Sequence, residues 1–342
     1  MGFKELLNKI KNVDKKTSST LKIYNEILET INGLEVYRDE IRKLKGHTHF
    51  AVVEAEEKIL TLIEEDESVL YIQDDYGKNI GMKAVRQGLK KVVSRVLDDE
   101  IASTQQDYYG MNLGMHCAFE KYEDLTLKAL DNEVASCQQD QDWANIGHYA
   151  LDSRMESCVL KAIDNEEAAL QTTKYAGGKN LLMEACLDGY ESCGLKALKN
   201  RNLYMAINES GENFIFYAAI GGLENVVIEA LKIQELRDFR DNGNQHIGFY
   251  AVENKLHNAS LEAIKYPELI SGEDAWGYDM FDYAQENNME DVTLKIMQYK
   301  EEMFKKEKEN CCVSSGEDSI ESDDLNIDCD IENNNSSMDF NE

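Results

Sequence analysis

The chain has 342 residues, with 36 Lys and Arg against 66 Asp and Glu, a formal charge of −30 and a pI near 4.6. Charge of that sign opposes the counterion release that drives binding to phosphate backbones, which argues against nucleic acid and against an anionic membrane surface. The eight cysteines include no CxxC pair and no Cys/His spacing of a zinc site, so free thiols in a reducing cytoplasm are expected, with no metal or other cofactor.

In chain order, residues 3–13 carry Phe3, Leu6, Leu7, Ile10 and Val13 on one helical face, with Lys4, Lys9 and Lys11 elsewhere. The start has no uninterrupted apolar region, so no signal peptide is expected, and no stretch reaches the length of a membrane span. A second apolar series, Leu21, Tyr24, Leu28 and Ile31, is expected to stop near Asn32-Gly33. Together these segments predict an N-terminal helical cap over 1–46; a membrane-surface helix and a coiled coil are the alternatives for 3–13. His47 and His49 stand close together without a third ligand nearby, so no metal site is expected there.

From there the chain repeats itself every 33 residues. The clearest copy is Gly211-Glu212-Asn213-Phe214-Ile215-Phe216-Tyr217-Ala218-Ala219, followed by Gly222 and Val226-Val227-x-x-Ala230-Leu231. A step of 33 carries Ala218 to Ala251 and Ala284, and carries Ala230-Leu231 to Ala263-Ile264 and Ile296-Met297. Backwards, the step reaches Ala185, then slips by two residues at an insertion near Tyr175–Gly178 before Ala150. It is 33 again through Asp164-Asn165-Glu166, Asp131-Asn132-Glu133 and Asp98-Asp99-Glu100. Ala51 and Ile63 extend it to a degraded first copy near 43–75. A fixed period of this size marks a solenoid, a one-dimensional stack that needs no second core.

Each copy reads as two short helices and a polar connection. In 211–242 the first apolar face is Phe214, Ile215, Ala218 and Ala219, Gly221-Gly222 breaks the chain, and Val226, Val227, Ala230 and Leu231 form the second. Asn79, Asn112, Asn180, Asn213 and Asp279 are expected to cap first helices. Ala84, Cys117, Ala150, Ala185, Ala218, Ala251 and Ala284 supply the small residues that close helix approach requires. Gly81, Gly114, Gly147 and Gly248 lower helix propensity by about 1 kcal/mol each relative to Ala, so looser or reset first helices are expected in those copies.

On these residues the array resembles the ankyrin repeat family. Copy 211–231, Gly178-Lys179-Asn180-Leu181-Leu182-Met183-Glu184-Ala185-Cys186 and Gly277-Tyr278-Asp279-Met280-Phe281-Asp282-Tyr283-Ala284 follow its order of Gly, capped helix, small residues, Gly and second helix. The family's Thr-Pro is absent from every copy, and Asn or Asp stands in. The resemblance covers roughly residues 47–302, seven good copies at most, and implies an all-α solenoid of stacked helix-turn-helix units. His148 falls on the family's histidine position, where a structural hydrogen bond is expected.

Catalytic motifs are missing. Ala176-Gly177-Gly178-Lys179-Asn180 lacks the first glycine and the Ser or Thr of a phosphate loop, and GxGxxG, HExxH and GxSxG do not occur. Asp140–Asn145 lacks the glycine and terminal glutamate of a calcium loop. The expectation is a non-enzymatic protein-binding scaffold. By the resemblance, the segments before each repeat glycine form the tips of a row of fingers along a concave surface. They hold Tyr76, Tyr108, Tyr109, Trp143 and Tyr175, then Trp276 with Tyr278 just beyond, beside Asp142 and the aspartates 107, 140, 241 and 274. Tyr and Trp are the usual interface hot spots, and the acidic setting suits a protein partner with a basic surface.

The alternatives are a membrane-anchored adaptor or host-directed effector, and an inhibitor or targeting subunit of an enzyme. A monomer is expected. Residues 303–342 are expected to form a disordered acidic tail, since 310–342 contain ten Asp and Glu and no Lys or Arg.

Overall fold

A computed structural model describes the backbone of residues 18–41 and 47–314 and the side chains of 18–34 and 50–306. Among them the chain is all-α: 22 α-helices, one 3-10 helix at Glu67–Tyr71, and only two isolated bridges, Thr172 with Asn180 and Glu273 with Asp279. Two units are distinguished, one through Ile296 and one from Met297; the last helix, Glu290–Ser314, begins in the first and continues in the second.

The helix Ser18–Ile41 buries Tyr24, Ile27 and Ile31, which recur at steps of three and four, and packs on the helix His47–Glu65. Thr20 Oγ1 donates to Asp66 Oδ2 at 2.6 Å, tying its start to the end of the next element. Two expectations fail here. Asn32-Gly33 does not end the helix, because one glycine lowers propensity by only about 1 kcal/mol, less than burial of the flanking face contributes. The described part of the first copy, from residue 47 to 75, does not form two short helices: His47–Glu65 is continuous, and Glu67–Tyr71 follows under an Asp66 cap. Residues 3–13 lie outside the described residues, as do the side chains of His47 and His49.

Seven first helices follow: Ile80–Gln87, Leu113–Phe119, Ile146–Asp152, Leu181–Leu187, Phe214–Ile220, Ile247–Glu253 and Met280–Glu286. Each is answered by a second, Lys90–Leu97, Glu123–Ala129, Glu156–Ala162, Glu191–Ala197, Glu224–Leu231, His257–Ala263 and Glu290–Ser314. First helices pack on first helices of the next copy, and the second helices through His257–Ala263 pack likewise. Asn79, Asn112 and Asn180 cap their helices as expected, accepting from the N–H groups of Met82, Met115 and Met183 at 2.9–3.0 Å. Asn213 and Asp279 also cap, and the seven small residues from Ala84 to Ala284 are all fully buried.

Each copy but the last has a third helix that the two-helix expectation omitted: Glu100–Thr104, Glu133–Cys137, Glu166–Leu170, Arg201–Met205, Gln234–Arg237 and Pro267–Ile270. Four of them carry their own side-chain cap, Asp99, Asn132, Asn165 and Asn200. Asp99, Asn132 and Asn165 count the period in the sequence and also start helices. Polar side chains bind the third helix to the first: Asn112 Nδ2 donates to Ala135 O at 2.8 Å and to Gln138 Oε1 at 2.9 Å, and Asn79 and Asn145 repeat the pair. Gln138 Nε2 then reaches back to Thr104 O at 2.7 Å, joining one copy to the one before.

The helices holding Gly81, Gly114, Gly147 and Gly248 are neither loose nor reset, being seven or eight residues long like the rest. A Cβ on Gly114 would collide with Ile146 Cδ1 and lie 2.8 Å from Ala129 Cβ; on Gly147 it would collide with Leu181 Cδ2. These glycines admit the next copy's large side chain, and that packing offsets their low propensity. Glu290–Ser314 also runs past 302, so residues 303–314 are helical rather than part of a disordered tail; 315–342 lie outside the described residues.

Candidate binding surface

The segment before six of the seven first helices, all but Leu181–Leu187, is a tight turn built by one acidic or amide side chain. Asp107 Oδ1 accepts from the N–H groups of Tyr109 and Met111 at 2.9 and 3.0 Å, while Oδ2 meets His116 Nε2 at 3.0 Å. Burial raises the Asp107 pKa, but His116 and the two N–H groups outweigh it and hold the carboxyl below its usual range. The same turn recurs at Asp140, whose Oδ2 accepts from Tyr149 OH at 2.6 Å, and at Asp241 and Asp274, which accept from Tyr250 OH at 3.0 Å and Tyr283 OH at 2.9 Å. Asn208 takes the place of Asp in one copy. In every case the helix partner lies nine residues on, a spacing visible in the sequence but not used there.

The expected acidic, aromatic face is therefore only partly acidic. Asp107 and Asp274 are each 6 % exposed, and Asp140 and Asp241 are half-buried on their own turns. Asp142 alone of that group is free at the surface, with Lys174 Nζ at a loose 3.8 Å.

Neighbouring turns are hydrogen-bonded side by side. Tyr108 N donates to Tyr76 O at 2.8 Å, Gln141 N to Tyr109 O at 3.0 Å and Lys174 N to Asp142 O at 3.0 Å. This ladder brings Tyr76, Tyr108, Tyr109, Asp142, Trp143 and Tyr175 into one row. Trp276 and Tyr278 stand apart, beyond turns whose tips are Glu209-Ser210 and Asn242-Gly243. The seven aromatics are 48–83 % exposed. Tyr108 and Tyr109 meet edge to face at 5.5 Å, Lys174 Nζ lies 5.9 Å from the Trp143 ring, and Trp276 leans toward Gly243.

Trp143 is the residue out of place. The matching positions of other turns hold Gly77, Gly110, Gly178, Gly211 and Gly277 at φ between 74 and 84°, and Asn244 at 58°. Trp143 adopts φ 66° there, in the left-handed region where a Cβ costs roughly 1–2 kcal/mol. The turn beside it is the one lengthened by two residues, Thr173–Asn180, as the insertion in the period foretold.

Seven residues after the cap the first helices expose Arg86, Phe119, Asp152, Ile220, Glu253 and Glu286; the period predicts their alignment, and they were not singled out. Beside Asp152 lies Glu184, whose carboxyl is pushed up to about 7 by burial, with Asp152 and Asp188 adding and Lys179 opposing. Glu184 stands where other copies have Lys83, His116 or Tyr149, but its turn lacks the aspartate.

His148 makes the structural hydrogen bond expected of it, Nδ1 accepting from Asn145 N at 3.2 Å in a capping box. The Asp140 turn directs its carboxylate at Asp142 N and Ala144 N, each at 2.9 Å. Among the described residues no group of three His, Cys, Asp or Glu could hold a metal ion, and no helix is long and apolar enough to cross a membrane. Cys117, Cys158, Cys186 and Cys193 are buried free thiols, and burial raises the pKa of each. Compared with known proteins, the chain matches no family model and no curated sequence.

Proposed function

We propose that this chain is a non-catalytic protein-binding scaffold, a solenoid of the ankyrin kind that displays the edge of its turns to a partner. The carrying observation is the laterally bonded row of turns bearing Tyr76, Tyr108, Tyr109, Trp143 and Tyr175, with a tryptophan kept where the backbone favours glycine. Strain of this kind persists where surrounding structure enforces it and gathers at sites of function. The row is rigid, since the Tyr76, Tyr108-Tyr109 and Trp143 tips are fixed by Asp74, Asp107 and Asp140 and each tip is bonded to its neighbour, so ordering its side chains on binding is less costly. The exposed carboxylates of Asp142 and Asp152 favour basic groups on the facing part of the partner. The thiols fit a reducing, cytoplasmic setting.

The test is capture of partners by the full chain, compared with the Tyr109→Ala, Trp143→Ala, Trp276→Ala triple variant after its helicity has been verified. Loss of the captured protein is expected. Unchanged capture by the folded variant would sink the reading, and capture reduced by Tyr109→Ala and Trp143→Ala alone would confine the site to the contiguous row.

A further inference from the structure

The exposed positions of the first helices change charge from one end of the row to the other. Around the cap Asn79 stand Lys78, Lys83 and Arg86; the matching positions hold Met111, His116 and Phe119 in the next copy, and Tyr278, Tyr283 and Glu286 in the last. Three cations thus gather at one end of a chain whose net charge is −30. They line a concavity of about 400 Å³ together with Asp74, Tyr76 and Tyr109.

Lys83 is already satisfied, its Nζ 2.5 Å from Asp74 Oδ2, while Asp74 Oδ1 holds the N–H groups of Tyr76 and Lys78 at 2.9 and 2.8 Å. Lys78 Nζ and the exposed Arg86 guanidinium have no hydrogen-bond or ion-pair partner among the described residues. Cations elsewhere on this chain commonly find a carboxylate, as Lys128 does at Asp98 (2.7 Å) and Lys58 at Glu26 (3.1 Å). At about 0.15 M salt the screening length is about 8 Å, so an anion inside the concavity feels this pair more than it feels the distant carboxylates.

We propose that the concavity binds an acidic peptide segment of the protein partner, its carboxylate or phosphate groups held by Lys78 and Arg86 and its apolar side chains laid on Tyr76 and Tyr109. The guanidinium fork suits either anion, since both accept two parallel N–H bonds. The proposal rests on the protein-binding reading and gives that surface a direction: the anionic end of the partner lies at the first copy, its cationic part toward Asp142 and Asp152.

The test needs no natural partner, so its failure is separate from failure of the capture experiment. Fluorescein-labelled octaglutamate and a phosphoserine-glycine octapeptide are titrated into the full chain at about 0.15 M salt, with polarisation as the signal. Saturable binding is expected, weakened about tenfold or more in K78Q/R86Q and lost in K78E/R86E, since charge-assisted hydrogen bonds supply it. Both side chains reach solvent, and circular dichroism verifies that the Gln variant is folded. A stronger response from one probe, with the same dependence on Lys78 and Arg86, identifies carboxylate or phosphate as the natural group. Absence of binding by both probes, or equal affinity for the native chain and K78Q/R86Q, overturns the proposal.

Discussion

At the scale of single residues, Trp143 separates stability from function most directly. The other tips use Gly or Asn at this point because a left-handed backbone crowds a Cβ; Trp143 accepts that crowding at φ 66°. Trp143→Gly should therefore stabilise the chain by about 0.5–1 kcal/mol, part of the relief being lost to the greater freedom of unfolded glycine, while weakening partner capture. Chemical denaturation and capture on the same sample check it, and a destabilised variant would show that the ring packs for stability rather than for display. The capping asparagines were legible because their chemistry is local. Trp143 was legible as an aromatic, and one more step of 33 from Gly110 would have exposed it as a substitute for glycine.

Among elements, the close approach of first helices sets what each position can hold. Gly114→Ala improves helix propensity by about 1 kcal/mol but drives a methyl against Ile146 and Ala129, both buried, which costs about 1–3 kcal/mol. A net loss of stability is expected, read as a lowered denaturation midpoint with unchanged slope. A rise in stability would mean that the Gly114 contact is slack. The third helices escaped the sequence reading because five residues such as Glu133–Cys137 are too few to show a helical period, and because only docking against the first helix's cap, Asn112, which bonds Ala135 O and Gln138 Oε1, completes them. The continuous helix His47–Glu65 was misread for a related reason: two matching residues, Ala51 and Ile63, do not report the backbone between them.

For the whole molecule, titration of buried groups opposes itself in a definite window. Burial lowers His148 to about 4, and burial with the nearby charge of Arg240 lowers His246 to about 3, from an ordinary 6.5. The unfolded chain then binds those protons first, and stability falls as pH drops from about 6.5 toward 4. Glu184 acts in the other direction, because its raised carboxyl lets the folded chain hold a proton between about 4.5 and 7. Two histidines against one glutamate leave a net difference of about one proton, so these three groups should lower stability by about 1.4 kcal/mol per pH unit near pH 5.5. His246→Asn, which restores the amide that caps most of the first helices, should flatten that slope, and Glu184→Gln should steepen it. Denaturant titrations at pH 6.5 and 5 decide; slopes unchanged by both variants would mean that neither group titrates as its surroundings imply.

The sequence by itself determined the period, the helical class, the caps and the small-residue positions, because each depends on neighbours within a few residues or on simple recurrence. It also named the exposed aromatics of the tips. Tertiary structure alone decided that the turn aspartates face inward to helix residues nine positions on, that the row divides between Tyr175 and Trp276, and that Lys78 and Arg86 share one concavity with Tyr109 of the next turn. Those outcomes depend on which copy lies beside which and on where each carboxylate points, and a one-dimensional repeat specifies the stacking positions while leaving the variable surface side chains to meet only in three dimensions.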